Sequence, residues 1–168
     1  MLPQTVDPSR LAEQGAIYRD RLSLAQLPRV RELALAGDEA GFAVQIEFCC
    51  DAQRRVRVQG SVAGNIHLEC QRCMRAVRLA IAQPLNLVAV WDEAQLRSVP
   101  ADSDPWEASD GFDLHALVED EILLALPMVA RHPQGECAPP VSLATADRAD
   151  RYRPFANLQS IVRAAGNP

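Results

Sequence analysis

The sequence predicts an α+β fold: a single domain with an antiparallel β-sheet, a packed amphipathic helix, a mobile acidic loop and a C-terminal tail. Short runs of alternating apolar and polar residues, separated by turn residues, follow one another up to residue 90. One long helical pattern comes after them, at 113–126. With 168 residues, 48% of them hydrophobic, the chain can bury one core. We therefore expect a single domain over 1–168, with its core at about 15–137 and the tail at 138–168.

Capping residues predict a short helix at the start of the chain. Asp7 can accept hydrogen bonds from free backbone N–H groups, Pro8 suits the first turn, and Gly15 suits the C-terminal cap. A second, brief helix is predicted at 24–27, where Pro28 is expected to interrupt it.

Strands are predicted where apolar residues recur at every second position. The alternation is clearest at 42–48, and it puts arginines on one face and valines on the other at 55–58. Gly60 and Gly64 are expected to bracket a break between two strands. The predicted strands lie at 17–22, 42–48, 55–58, 66–68, 77–81 and 85–90.

The clearest helix is predicted to begin after Asp113, a candidate N-cap. Apolar residues at helical spacing give it one apolar face. Leu117 and Ile122 are expected to face the sheet, whereas Glu119 and Asp120 are expected to face solvent.

Two further segments are expected to lie at the surface. Residues 92–110 are acidic and contain Pro100 and Pro105, which is typical of a mobile loop. A last helical pattern, at 154–162, places Phe155 on its apolar side within the tail.

Charge is unevenly placed along the chain. Residues 51–80 hold six arginines against two acids, a net +4, whereas residues 91–121 hold ten acids against one arginine, a net −9. Arginine binds phosphate through two N–H groups, so the basic segment is a candidate for RNA contact, whereas the acidic segment would attract a basic protein. The candidate RNA-binding residues are Arg54, Arg57, Arg72, Arg75 and Arg78.

Cysteine spacing predicts a site for soft-ligand chemistry. Cys70 and Cys73 form a Cys-x-x-Cys pair, which suits a tetrahedral metal or a dithiol couple. His132 and Cys137 could complete a Cys3His zinc set, with 58 residues between its halves. Zinc, reduced structural thiols and a redox couple all remain open. The redox couple is least favoured, because strand-like sequence resumes after Cys73 in place of the helix that would lower a thiol pKa.

No catalytic constellation stands out in the sequence. His115 and Glu119 share a helix face, but no nucleophile or phosphate loop accompanies them. The longest apolar run, 122–130, is too short to span a bilayer, and the N-terminus lacks the apolar segment of a signal peptide. We therefore expect a cytoplasmic, non-enzymatic protein that binds no membrane and no small-molecule substrate.

Several of these motifs together resemble the bacterial YceD family. The resemblance rests on Leu68-Glu-Cys70-Gln-Arg-Cys73-Met, on the helix Leu117-Val-Glu-Asp-Glu-Ile-Leu-Leu-Ala-Leu-Pro127, and on the downstream His and Cys. The tail resembles that family's Asn-Pro-Phe-Ala ending, with Arg153 in place of the Asn. The resemblance runs from about Gly15 to the C-terminus. The matching motif positions are Cys70, Cys73, Glu119, Asp120, Glu121, His132 and Cys137.

The resemblance implies a role in the accumulation of large-subunit (23S) ribosomal RNA, through its synthesis, processing or stability, and it implies no enzymatic activity. The partners would be ribosomal RNA or ribosomal proteins of the large subunit. Two other roles stay open. One is a thiol-disulfide or zinc-dependent protein built on Cys70 and Cys73, and the other is an adaptor that binds basic ribosomal proteins through its acidic loop.

Overall fold

The computed structural model describes residues 1–107 and 112–137. The predicted tail at 138–168, with its helix at 154–162, lies outside these residues. Within the described part, no helix has the length and apolar character that a membrane crossing requires.

Four helices and seven strands make up the described part of the chain. The helices are α1 (Pro8–Gln14), α2 (Pro28–Leu33), α3 (Glu93–Leu96) and α4 (Leu114–Ala125). The strands are β1 (Thr5–Val6), β2 (Ile17–Ser23), β3 (Gly41–Cys50), β4 (Val56–Glu69), β5 (Ala76–Val90), β6 (Asp104–Glu107) and β7 (Phe112–Asp113).

The main sheet has the order β2-β3-β4-β5-β6, and β1 pairs separately with β7. The strands from β2 to β5 are antiparallel neighbours, whereas β6 joins β5 in parallel. The sheet packs against α1 and α4, and Val30 of α2 joins the same core. The predicted α+β class is confirmed. The largest fully buried side chains include Leu22, Phe42, Ile46, Phe48, Val58, Val62, Ile66, Phe112, Leu114 and Ile122.

Two glycines allow β4 to continue where a break was predicted. Gly60 has φ +155, and a Cβ there would lie 1.9 Å from the carbonyl oxygen of Gln45 on β3. A Cβ on Gly64 would lie 2.6 Å from Cδ1 of Phe42. The predicted break is therefore wrong, because both glycines permit close approach of neighbouring strands within one continuous strand.

Pro28 begins a helix, so the prediction that it interrupts one is also wrong. The segment before it forms only a 3₁₀ turn, Leu24–Gln26. Pro28 then occupies the first turn of α2, where its missing N–H would have no partner within the helix. Val30 of this helix is fully buried in the core.

The predicted acidic loop at 92–110 is partly regular structure. Asp92 accepts a hydrogen bond from the backbone N–H of Gln95 and so caps α3. Farther along, β6 pairs with Leu87–Val90 of β5. The part at 108–110 lies outside the described residues.

Helix α4 confirms the predicted cap and most of the predicted burial. The carboxylate of Asp113 accepts hydrogen bonds from the N–H groups of His115 and Ala116. Leu117 and Ile122 are buried as expected.

We expect Leu117→Ala to lower the free energy of unfolding by about 2–5 kcal/mol, because truncation of a buried leucine leaves a cavity. Leu117 is 2% exposed, whereas Leu124, on the same helix, is 76% exposed. Leu124→Ala is therefore the matched control and should change stability little. Urea unfolding monitored by circular dichroism measures both, and a near-neutral Leu117→Ala would mean that the buried face of α4 is assigned wrongly.

Candidate metal centre

The Cys-x-x-Cys pair lies in the tight connection between β4 and β5. The backbone N–H of Cys70 donates to the carbonyl of Arg75 at 2.9 Å, and the N–H of Met74 donates to the carbonyl of Cys70 at 2.9 Å. Met74 has φ +58, a left-handed conformation that non-glycine residues adopt rarely. These features fold the segment into a compact turn that carries both cysteines.

The segment after α4 returns to this turn. The N–H of Gln71 donates to the carbonyl of Ala130 at 2.8 Å, and the guanidinium of Arg72 donates to the carbonyl of Cys137 at 3.4 Å. These contacts bring His132 and Cys137 beside the cysteine pair.

The geometry of the four side chains fits a tetrahedral ion. Their ligand atoms all lie within 4.8 Å of one another. Sγ of Cys70 is 3.9 Å from Sγ of Cys137, and Sγ of Cys73 is 3.5 Å from Nδ1 of His132. A tetrahedral zinc with Zn–S of about 2.3 Å and Zn–N of about 2.0–2.1 Å would separate two sulfurs by about 3.8 Å, and a sulfur and a nitrogen by about 3.6 Å. These two separations match a tetrahedral zinc site, so the cluster could hold a metal.

A contact on the far side of the imidazole orients His132 as a ligand. Nε2 of His132 lies 3.0 Å from the carbonyl oxygen of Ala76, the first residue of β5. Because a carbonyl can only accept, Nε2 carries the proton, and in the neutral imidazole Nδ1 keeps a lone pair toward the sulfurs. Metal-binding histidines usually make such a second contact.

The backbone favours a thiolate at the cysteine pair. Burial raises the pKa of Cys70, but N–H groups of His132, Arg72 and Cys73 donate to the sulfur and lower this pKa to about 5. Burial likewise raises the pKa of Cys73, and donation from Arg75 brings it below its ordinary value. Thiolates are the form of cysteine that binds metal.

The expectation that no thiol pKa is lowered without a helix after Cys73 is wrong for Cys70. No helix follows Cys73, because β5 begins at Ala76, as the strand-like pattern predicted. The pKa of Cys70 is nevertheless lowered, because the segment of His132 and the turn itself supply the N–H donors that a helix N-terminus would otherwise provide.

The other two members of the cluster respond to this negative charge. Burial, followed by the neighbouring sulfurs of Cys73 and Cys70, raises the pKa of Cys137. Hydrogen bonding to the sulfur of Cys70 raises the pKa of His132. A divalent cation at the centre would offset the repulsion among the sulfurs.

The five candidate arginines do not form one surface. Arg72, Arg75 and Arg78 lie at the end of the sheet that carries the cluster, whereas Arg54 and Arg57 lie at the other end of β4. At about 3.3 Å per residue, the two groups are about 40 Å apart along the strand.

The members of the two groups also differ in their contacts. The guanidinium of Arg57 donates to Oδ1 of Asn86 at 2.7 Å and to Oγ of Ser103 at 2.8 Å, so it stabilises the chain that follows α3. Arg75 and Arg78 are exposed, and Arg78 lies opposite His67 in the strand register.

The helix motif holds α2 and α4 together. Glu119 is only 4% exposed, so the prediction that it faces solvent is wrong. Its carboxylate accepts hydrogen bonds from the N–H groups of Arg29, at 2.6 Å, and Val30, at 3.3 Å, at the start of α2. Asp120, which is half exposed, accepts from the same Arg29 guanidinium at 2.7 Å. Glu119 thus caps a helix that has no side-chain cap of its own.

The partner of this motif, Arg29, was not predicted from the sequence. Arg29 and Glu119 are 90 positions apart, and neither lies in a local pattern that points to the other. Glu121, the third acid of the motif, is also buried, and the amide of Gln83 donates to it at 3.3 Å.

The fold and the cluster define a small α+β protein with a Cys3His set suited to a metal. The family model described as "Large ribosomal RNA subunit accumulation protein YceD" matches residues 58–161, which include both halves of the cluster, and the chain belongs to this family. A Haemophilus influenzae protein with that same description is 33% identical over 140 residues, which cover 81% of this chain and 79% of the relative. No solved structure matches the chain.

We expect Glu119→Ala to destabilise the fold by about 1.5–3 kcal/mol, because it removes a buried carboxylate that accepts backbone hydrogen bonds. Asp120→Ala is the control. It removes an acid on the same guanidinium, but one that is 52% exposed, and it should cost about 0–1 kcal/mol. Urea unfolding at neutral pH compares the two. Equal costs would show that capping of α2 is not the role of Glu119.

Proposed function

We propose that this protein supports the accumulation of large-subunit ribosomal RNA in the cytoplasm, as a zinc-stabilised binding protein and not as an enzyme. The observation that carries this proposal is membership of a family whose description names that role. The description names no reaction. A metal centre whose four ligands all come from the protein is typical of a structural site, and this supports a role in binding over one in catalysis.

Zinc is the metal that the ligand set favours. Three sulfurs and one imidazole nitrogen are soft or intermediate ligands that select zinc over magnesium or calcium. Four protein ligands complete a tetrahedron and leave no position for a water or a substrate, which is typical of a structural site. Bound there, zinc would fasten the segment of His132 and Cys137 to the turn between β4 and β5.

The surface beside the metal centre suits phosphate. Arg72 lies inside the Cys-x-x-Cys turn, and Arg75 and Arg78 follow it directly. A rigid turn presents guanidinium groups with less loss of conformational freedom than a flexible one. We propose that these three arginines contact the ribosomal RNA backbone, and that Arg54 and Arg57 belong to a separate region.

The protein purified without chelator should contain about one zinc per chain. Cys70→Ser should lose the metal and lower the melting temperature, because metal binding and folding are linked. Cys50→Ser is the matched control, since Cys50 is exposed and lies outside the cluster. Elemental analysis and thermal unfolding test this, and a protein without zinc whose melting is unchanged by chelator would refute the zinc assignment.

Conversion of Arg72, Arg75 and Arg78 to Glu should weaken binding of a large-subunit ribosomal RNA fragment. Loss of three phosphate contacts should also reduce the slope of log affinity against log salt by about two to three. A matched triple variant carries the same charge change on other exposed arginines. These are Arg10, Arg19 and Arg21.

The control variant should retain most of the binding and the salt slope. If both triple variants lose affinity equally, the contact is only a general effect of net charge. In cells, deletion of the gene should lower large-subunit ribosomal RNA. Normal RNA levels, combined with a disulfide-exchange activity that Cys70→Ser abolishes, would instead establish the thiol-disulfide role.

A further inference from the structure

A groove of about 600 Å³ lies between α4 and β6. Leu87 and Leu117 contribute apolar surface to its lining, and Asp104 and Glu121 contribute carboxylates. We propose that this α4–β6 groove binds an arginine-containing, partly apolar segment of a basic partner protein. The proposal goes beyond the RNA contact and does not depend on it.

Two acids of the groove, Glu121 and Asp104, bind no cation within the part of the chain that the structure describes. Glu121 is 7% exposed, and the neutral amide of Gln83 donates to it at 3.3 Å. Among the described residues, neither Glu121 nor Asp104 has an ion-pair partner within 4.0 Å. Asp120 also lines the groove, but its carboxylate already binds Arg29. A buried carboxylate without a cation is costly, so a guanidinium that enters the groove would be stabilised.

The raised pKa of Glu121 is consistent with a carboxylate that has no ion-pair partner among the described residues. Burial raises it above its ordinary value, the hydrogen bond from Gln83 opposes that shift, and the nearby charges of Asp104 and Asp120 add to it. A bound cation would act in the opposite direction. The groove therefore offers a negative potential at a site with apolar surroundings.

The apolar part of the groove suits the rest of an arginine-bearing segment. Leu124 is 76% exposed on α4 and adds accessible apolar surface to the groove. The indole of Trp106 lines the groove from β6 and lies against Phe112. An aliphatic arginine stem can pack on leucine while its guanidinium stacks on the indole and binds a carboxylate. Flanking apolar side chains of the same segment would cover Leu124.

The charge of this region favours a protein partner over RNA. Residues 91–121 hold ten acids against one arginine, a net −9, which would repel phosphates. The groove also lies away from the metal centre, because Gln83, which donates to Glu121, is seven residues from Ala76 on β5, or about 23 Å at 3.3 Å per residue. An RNA at the metal centre and a basic protein at the groove could thus bind together.

The test uses the full chain and short fluorescein-labelled peptides in which arginine is flanked by leucines, at both helical and alternating spacing. Matched peptides carry citrulline, which is neutral, in place of arginine. Fluorescence anisotropy should show saturable binding of an arginine peptide and much weaker binding of its citrulline counterpart. Glu121→Gln and Leu124→Ser should each weaken this binding about tenfold or more.

Glu47→Gln is the control, because Glu47 is an exposed acid on β3 that does not line the groove. It changes net charge as Glu121→Gln does and should leave peptide affinity unchanged. Leu124→Ser alters an exposed side chain, so it keeps the test valid even if Glu121→Gln perturbs the fold. Thermal unfolding of each variant checks this.

Four results would overturn the proposal. The first is the absence of saturable binding for every arginine peptide up to about 1 mM, and the second is an equal loss of peptide affinity in Glu47→Gln and Glu121→Gln.

The third is displacement of the peptide by a short single-stranded RNA whose own affinity falls equally in Glu121→Gln, which would make the groove an RNA site. The fourth is a dimer, seen by light scattering, that Leu124→Ser converts to a monomer, since a second copy would then occupy the groove.

Discussion

The convergence of three sulfurs and one imidazole joins two segments of the chain that lie far apart in the sequence. Among the described residues after α4, which are 126–137, none lies in a helix or strand, yet this segment returns to the turn between β4 and β5. Hydrogen bonds from Gln71 to Ala130, from Arg72 to Cys137 and from His132 to Ala76 make this connection in the protein itself. A few polar contacts offset little of the entropy of ordering such a segment, whereas a bound metal contributes folding energy directly.

A second long-range constraint acts at the middle of the chain. Glu119 supplies from α4 the cap that α2 lacks, and the Arg29 guanidinium then reaches Asp120. This fixes α4 against the core and thereby the position of the helix face that lines the groove with β6. The three acids Glu119, Asp120 and Glu121 thus divide into two that bind Arg29 and one, Glu121, that faces the groove and Gln83.

Local patterns predicted the features that depend on local sequence, such as the alternation at 42–48 and the Asp113 cap. The Cys3His set was also predictable, because few residue types bind a soft metal. The errors arose where a distant residue decides the outcome. Arg29 binds the carboxylate of Glu119 and so holds it in a buried position. The close approach of β3 requires a glycine at position 60 within a continuous strand. The parallel strand β6 has no alternating apolar pattern, because it lies at the edge of the sheet and three of its four residues are exposed.

X-ray absorption at the zinc edge, on the full chain purified without chelator, shows whether all four side chains bind one ion. We expect three sulfur ligands at about 2.3 Å and one nitrogen ligand at about 2.0–2.1 Å, with no oxygen ligand. His132→Ala should replace the nitrogen contribution while the three sulfurs remain. A shell of only two sulfurs, or one dominated by oxygen and nitrogen, would mean that the two halves of the cluster do not meet at one ion.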